Sequence, residues 1–220
     1  MKNRLRMAKL VVYAAVILAA AATLSAAAQQ HSRLFRPEQL GTLEGPDRDA
    51  WQRPDQVMDQ LLIAEGSVVA DLGAGGGWFT MRLANRVGPN GIVYAEDVQP
   101  PMIESITRRT ARANVRNVRT VLGTSTDPRL PGPVDAVLIV DAYHEFEQPI
   151  MMLANVARSL KPAGRIGILE FKKDGWGPGP LMDERMDPER IVRDAQAAGL
   201  RLLSRETFLR YQYMLVFTHR

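Results

Sequence analysis

The sequence predicts an α/β protein, a parallel sheet with helices on both faces that closes on an antiparallel pair of strands. Three observations predict it. Between Pro54 and Thr218, short apolar runs alternate with amphipathic stretches, the pattern of successive βαβ units. The early runs are continuously apolar rather than alternating, as expected of strands covered on both faces. The last two runs stand only a few residues apart, too near for a helical crossover, so they pair antiparallel.

Residues 1–28 stand outside that pattern. Lys2, Arg4, Arg6 and Lys9 form a positive start, Leu10–Leu24 is apolar, and Ser25-Ala26-Ala27-Ala28-Gln29 places small residues at −3 and −1. This is the layout of a secretory leader cleaved after Ala28. Leu10 to Ala28 is 19 residues, so an uncleaved anchor is the competing reading, although the Ala-x-Ala end favours cleavage. The expectation is an exported protein, periplasmic or secreted, that meets the membrane only transiently through its leader; a cytoplasmic location is the alternative. Residues 29–53 read as a polar N-terminal arm near the site mouth, with Phe35, Leu40, Leu43 and Trp51 as anchors, and 54–220 as one domain.

Within the domain each element has a local cause. Pro54 opens a helix to Ile63, since proline suits a first helical position. Ser67–Gly73 is the first strand, and Gly77–Val87 a helix stopped by Gly88. Ile92–Asp97 is the second strand, Pro101–Ala113 a helix, Val118–Gly123 the third strand and Val134–Asp141 the fourth. Ile150–Leu160 carries apolar residues at helical spacing, with Met151 and Met152 read as core filler. Arg165–Phe171 is the fifth strand. Asp187 caps a helix begun by Pro188 and ended by Gly199, and Leu200–Phe208 and Tyr213–Thr218 are the final pair.

The chemistry concentrates where the first two strands end. Val68-Val69-Ala70-Asp71-Leu72 breaks into Gly73-Ala74-Gly75-Gly76-Gly77, and Val93-Tyr94-Ala95-Glu96-Asp97 ends in acid 24 residues after Gly73. Glycines admit a ligand where a Cβ would collide, and the following helix offers free N–H groups. An acid on the neighbouring strand tip suits a ribose diol. The pair reads as a nucleoside cradle. It is not a dinucleotide fingerprint, because Trp78 stands where G-x-G-x-x-G needs its third glycine, and no Gly-Lys-Ser/Thr follows as a phosphate loop requires.

Asp71, Gly73, Gly75 and Gly77 resemble the first motif of the class I S-adenosylmethionine-dependent methyltransferases. Asp97 matches that family's ribose-binding acid, and Ser159-Leu160-Lys161-Pro162-Ala163-Gly164-Arg165 is similar to the family's entry to strand 5. The resemblance runs over about residues 54–218. It implies a Rossmann-like seven-stranded sheet in the order 3-2-1-4-5-7-6 with strand 7 antiparallel, and S-adenosylmethionine as cofactor. It also implies that Gly73, Gly75 and Gly77 lie along the cofactor's methionine part, with Asp71 orienting that loop and the ammonium end. Asp71 also reads as a structural acid for the loop's N–H groups, and both readings stand. Asp97 is preferred for the ribose, with Glu96 taking the role if the strand ends one residue earlier. After strand 3 the family often places an acid on the adenine. Here Thr124 stands in its place, with Ser125 or backbone as replacement. The resemblance also puts Asp141 at the strand 4 position whose side chain or backbone faces cofactor and acceptor in that family. His144, followed by Glu145, resembles the base of small-molecule O-methyltransferases; a helix-capping or exposed loop histidine is the other reading.

Charge excludes one class. Four of the 28 basic residues lie in the leader with no acid, so the remainder carries 24 of each sign. No broad basic field is left for a phosphate backbone, and the Asn-Pro-Pro-Tyr signature of base methylation is absent, so no nucleic-acid partner is expected. There is no cysteine, hence no disulfide, lipid attachment site or thiolate metal site, and no clustered His/acid motif predicts a metal. Trp176 lies in a glycine- and proline-rich loop, read either as a cover for the acceptor or as exposed decoration. The expected function is methyl transfer to a small-molecule acceptor. Two alternatives are an exported cofactor-binding domain without turnover and a methyltransferase acting on protein.

Overall fold

In the computed structural model residues 34–220 are described, and Pro37–Arg220 is one compact unit. Seven strands, β1 (Val68–Leu72), β2 (Ile92–Asp97), β3 (Val118–Leu122), β4 (Val134–Val140), β5 (Leu160–Phe171), β6 (Leu200–Glu206) and β7 (Gln212–His219), form one sheet in the order β3-β2-β1-β4-β5-β7-β6. β7 runs antiparallel to both β5 and β6, and the remaining pairs are parallel. Topology and reversal are those the sequence implied. The helices are α1 (Arg48–Gln52), α2 (Pro54–Gln60), α3 (Trp78–Val87), α4 (Pro100–Arg112), α5 (Pro149–Ser159) and α6 (Pro188–Ala197). Proline sits in the first turn of α2, α4, α5 and α6, where its missing N–H costs nothing. The Asp187 side chain accepts from Glu189 N at 2.9 Å as the α6 cap. Among the described residues, no helix is long and apolar enough to cross a membrane; the leader expected at 1–28 lies outside them.

Alternate residues of each strand feed alternate faces. Ala70, Leu72, Val137, Ile139, Ile166, Ile168, Leu215 and Phe217 pack on one side with α5 and α6. Val69, Val93, Ala136, Leu138, Leu169, Met214 and Val216 pack on the other with α2 and α3. Two-sided burial is the reason the strands read as unbroken apolar runs.

Several boundaries differ from the sequence reading. α2 stops at Gln60 because Leu62 adopts φ 55° and Ile63 N returns to Met58 O at 3.1 Å. β5 begins at Leu160, pairing there with Val134 before a register shift. Met152 is core, but Met151 is 51% exposed, so only one of the two methionines fills the interior. Within the arm, Pro37–Leu43 is a 3-10 helix and α1 follows.

Candidate functional site

The carboxyl ends of β1, β2 and β4 meet where the strand order reverses, the place open α/β sheets reserve for ligands. Gly73, Gly75 and Gly77 all have positive φ. Their loop is fastened by the acids of β2. Gly73 N donates to Glu96 Oε2 at 3.3 Å, Ala74 N to the Glu96 carbonyl at 2.8 Å, and Gly75 N to Asp97 Oδ2 at 3.0 Å. The other Asp97 oxygen accepts from Gln99 N at 2.9 Å. β2 ends at Asp97, as read, so the preferred acid stands at the strand tip against the loop, and burial raises its pKa. Glu96 is no bystander: 2% exposed, it fills the space that a side chain at Gly123 would need, 1.8 Å from that Cβ position.

Asp71 does not bond the glycine-loop amides. Its Oδ2 accepts from the Thr80 hydroxyl at 2.6 Å, tying β1 to α3, and burial pushes its pKa up to about 6. The glycine-loop amides went instead to Glu96 and Asp97, because those carboxylates arrive from the adjoining strand. Thr124 is likewise spent locally. Its hydroxyl accepts from Asp127 N at 3.0 Å and closes a turn, leaving Ser125 exposed beside it.

At the tip of β4, Asp141 has φ 52°, a left-handed conformation that a non-glycine residue holds only when its surroundings enforce it. Its Oδ1 is buried and has no hydrogen-bond partner among the described residues. Burial, then the nearby Glu170 charge, raises its pKa. The next residues form a 3-10 turn, Tyr143–Glu145, which presents His144. The histidine caps no helix. Its Nδ1 lies 3.1 and 3.2 Å from the two oxygens of Glu170, and its backbone N donates to the same carboxylate at 3.2 Å. Glu170 is fully buried in β5. Burial works against the His144 charge, but the bond to Glu170 and the charges of Glu170 and Asp141 outweigh it and carry the imidazole to about 9.

Sequence reasoning missed Glu170 and expected no metal-binding cluster. Yet one ligand atom each from Asp141, His144 and Glu170 lies within 4.8 Å of the others. The His144–Glu170 hydrogen bonds account for two members of that group without an ion, and Asp141 stands 4.0 Å from the ring nitrogen.

The arm covers the glycine loop. Side chains of Leu40 and Leu43 lie 4.0 and 3.9 Å from the Cβ position of Gly75. Arg48 bonds Leu43 O and Gln52 Oε1, both at 2.5 Å, and its guanidinium stands 4.2 Å from the Trp78 ring centroid. Gln52 reaches Gln212 at 2.9 Å, and Trp51 packs against Phe171 and Tyr211. Trp176 is 74% exposed.

Residues 69–164 match the profile of a methyltransferase domain family. An uncharacterised methyltransferase of Mycobacterium tuberculosis is 37% identical over 144 residues, covering 62% of this chain and 55% of that protein. Nocamycin O-methyltransferase of Saccharothrix syringae is 34% identical over 131 residues, 57% of this chain and 47% of that one. The chain thus spans about half the length of these curated relatives. Among solved structures, a SAM-dependent methyltransferase from Aquifex aeolicus superposes with a TM-score of 0.78 at 26% identity, covering 84% of this chain and 98% of that one.

Proposed function

We propose that this chain, whose residues 69–164 form a methyltransferase domain on the class I seven-stranded fold, binds S-adenosylmethionine and transfers its methyl group to a small-molecule acceptor. The pair of neighbouring strand tips carries the reading. A side-chain-free loop at Gly73–Gly77 stands beside Asp97, whose carboxylate is fixed by Gly75 N and Gln99 N. An ionised carboxylate only accepts hydrogen bonds, which matches the two O–H donors of a ribose diol. The orphaned, buried Asp141 Oδ1 fits the cofactor's ammonium, because a buried acceptor without a donor is costly until it finds one. The residues present therefore fit the cofactor.

When bound, S-adenosylmethionine supplies a methyl group on a positively charged sulfur, which departs as the acceptor attacks in line. The chain's own contribution is alignment and exclusion of water, worth several powers of ten. The glycine loop and Asp97 fix one reactant, and the loops after β4 and β5 hold the other. An attacking hydroxyl must lose a proton. His144 takes it through Nε2, since Nδ1 is committed to Glu170, a role worth ~10²–10⁴ in rate. Only the neutral imidazole accepts a proton. With the ring carried to about 9, the rate rises with pH through the alkaline range.

Of the eight large hydrophobic side chains exposed among the described residues, Leu122 ends β3 and five follow β4 or β5: Ile150, Met151, Trp176, Leu181 and Met182. Such an apolar rim favours an apolar or amphipathic acceptor. The leader read at residues 1–28 sends the domain out of the cytosol, and fractionation of cells with an antibody to the mature chain checks that location.

Calorimetric titration with S-adenosylmethionine, followed by detection of radiolabelled methyl product, tests the function. Asp97→Ala is expected to weaken cofactor binding at least tenfold, whereas His144→Ala abolishes turnover and keeps the affinity. A protein that ignores the methyl donor but binds a nicotinamide dinucleotide overturns the reading.

A further inference from the structure

Positive and negative charges balance over residues 29–220, but they are not evenly spread. Residues 105–126 carry Arg108, Arg109, Arg112, Arg116 and Arg119 and no aspartate or glutamate. The first three of these arginines belong to one side of α4. Ser105, Arg108, Arg109 and Arg112 follow the i, i+3, i+4, i+7 spacing that aligns side chains along a helix face. That face meets the arm. Together with Glu44 of the arm and Gly76 of the glycine loop, these four residues line an open cavity of about 510 Å³.

The three cations are unequally used. Arg109 is committed: it pairs with Glu44 and donates to Gly76 O at 2.9 Å, pinning the arm to the glycine loop. Arg108 meets Glu104 only at 3.5 Å, between two exposed side chains, a contact of little strength in water. Arg112 is exposed and makes no hydrogen bond or ion pair with a described residue. Like charges three and four positions apart on a helix repel, and three arginines against one glutamate leave the cavity with surplus positive charge. The helix dipole eases cations in a last turn, which accounts for α4 ending with them. It does not require them to converge with a serine hydroxyl on a hollow.

We propose that this cavity binds a phosphate group, held by the guanidinium forks of Arg108 and Arg112 and the hydroxyl of Ser105. A phosphate monoester carries about two negative charges and three acceptor oxygens, which complements a hollow lined by three cations and one anion. Arginine suits the task because two parallel N–H bonds grip two phosphate oxygens at once. Arg116 and Arg119, next along the chain, add positive potential that draws an anion in. The phosphate belongs either to a soluble metabolite or to a lipid headgroup, and the same side chains would read both. The site lies on the seam between arm and α4 and does not depend on the cofactor assignment.

Calorimetry with inorganic phosphate, at an ionic strength held constant with chloride, tests the soluble source. Flotation with phosphatidylcholine vesicles, with and without phosphatidic acid, tests the headgroup. Wild-type protein is expected to bind at least one of the two probes. Arg112→Ala should weaken that binding at least about tenfold, as when a charge-assisted contact is lost. Arg112→Lys should recover part of it, because the charge returns without the fork. Arg129→Ala removes the same charge from an exposed arginine that does not line the cavity. Its affinity should stay within about twofold of wild type, since a charge outside the site is screened by salt. Phosphate binding without vesicle binding identifies a soluble ligand, and vesicle binding lost in Arg112→Ala identifies a headgroup. Equal losses in the two alanine proteins would reveal only a general attraction between charges and overturn the site. Wild-type protein that binds neither probe overturns it as well.

Discussion

Glu96 and Asp97 are adjacent, nearly equally buried acids with different tasks. Asp97 has both oxygens satisfied by amides. Glu96 spends one oxygen on Gly73 N and leaves Oε1 buried without a partner. Burial first, and then the neighbouring Asp97 charge, pushes Glu96 up to about 8. It is therefore largely protonated at neutral pH, which suits a group with no counter-charge in a closed space. A carboxyl raised above its unfolded value stabilises the fold fully below the unfolded pKa, near 4.5, and loses that contribution as pH climbs to the folded value. The window is thus roughly pH 4.5 to 8. Each pH unit inside it is worth about 1.4 kcal/mol at most. Glu96→Gln keeps the shape and removes the titration, so urea melts across pH 5 to 8.5 should fall less steeply for the variant than for wild type. Parallel profiles would show that Glu96 ionises normally.

Among the elements, the loops after β1 and β4 behave as one unit. A Cβ at Gly73 would sit 2.6 Å from the Cβ of Ala142, and Gly73 has φ +67°. Gly73→Ala therefore meets both a left-handed backbone, costing about 1–2 kcal/mol, and a collision that displaces the residue between Asp141 and Tyr143. The variant should lose about 2 kcal/mol or more of stability and at least tenfold in cofactor affinity. Ala142→Gly in the same chain should restore part of both, and a cycle without coupling would refute the contact. The same two loops mark where sequence was readable. Gly73, Gly75 and Asp97 were legible because backbone conformation and strand ends are local properties. Glu170 was not, since it meets His144 across 26 residues of chain and a β4–β5 pairing. A carboxylate inside the apolar run Gly167-Ile168-Leu169-Glu170-Phe171 was its one signal. Arg48 gave none, being flanked by two acids. The turn that Thr124 closes with Asp127 was not legible either, because it depends on a side-chain bond and not on backbone propensity.

For the whole molecule, the arm joins residues far apart in sequence. Gln52 bonds Gln212, Asp49 grips Arg82 with two 2.8 Å bonds, and Trp51 packs on Phe171 and Tyr211. Arm, glycine loop and the β5–β7 end of the sheet are thus linked before any ligand binds. A ligand held between the arm and the loop adds its binding energy to that linkage. Ligand at a hundredfold excess over its Kd stabilises the folded state by about 2.7 kcal/mol, which raises Tm by about 5–11 °C for a domain of this size. Position matters as much as magnitude. Leu40 and Leu43 sit over the loop and Arg48 over Trp78, the residue that follows it, so S-adenosylhomocysteine should slow amide exchange in residues 40–53 together with 73–77. The α6–β6 segment, on the far edge of the sheet, should change little. Protection confined to the glycine loop would mean that the arm is a fixed buttress and takes no part in binding.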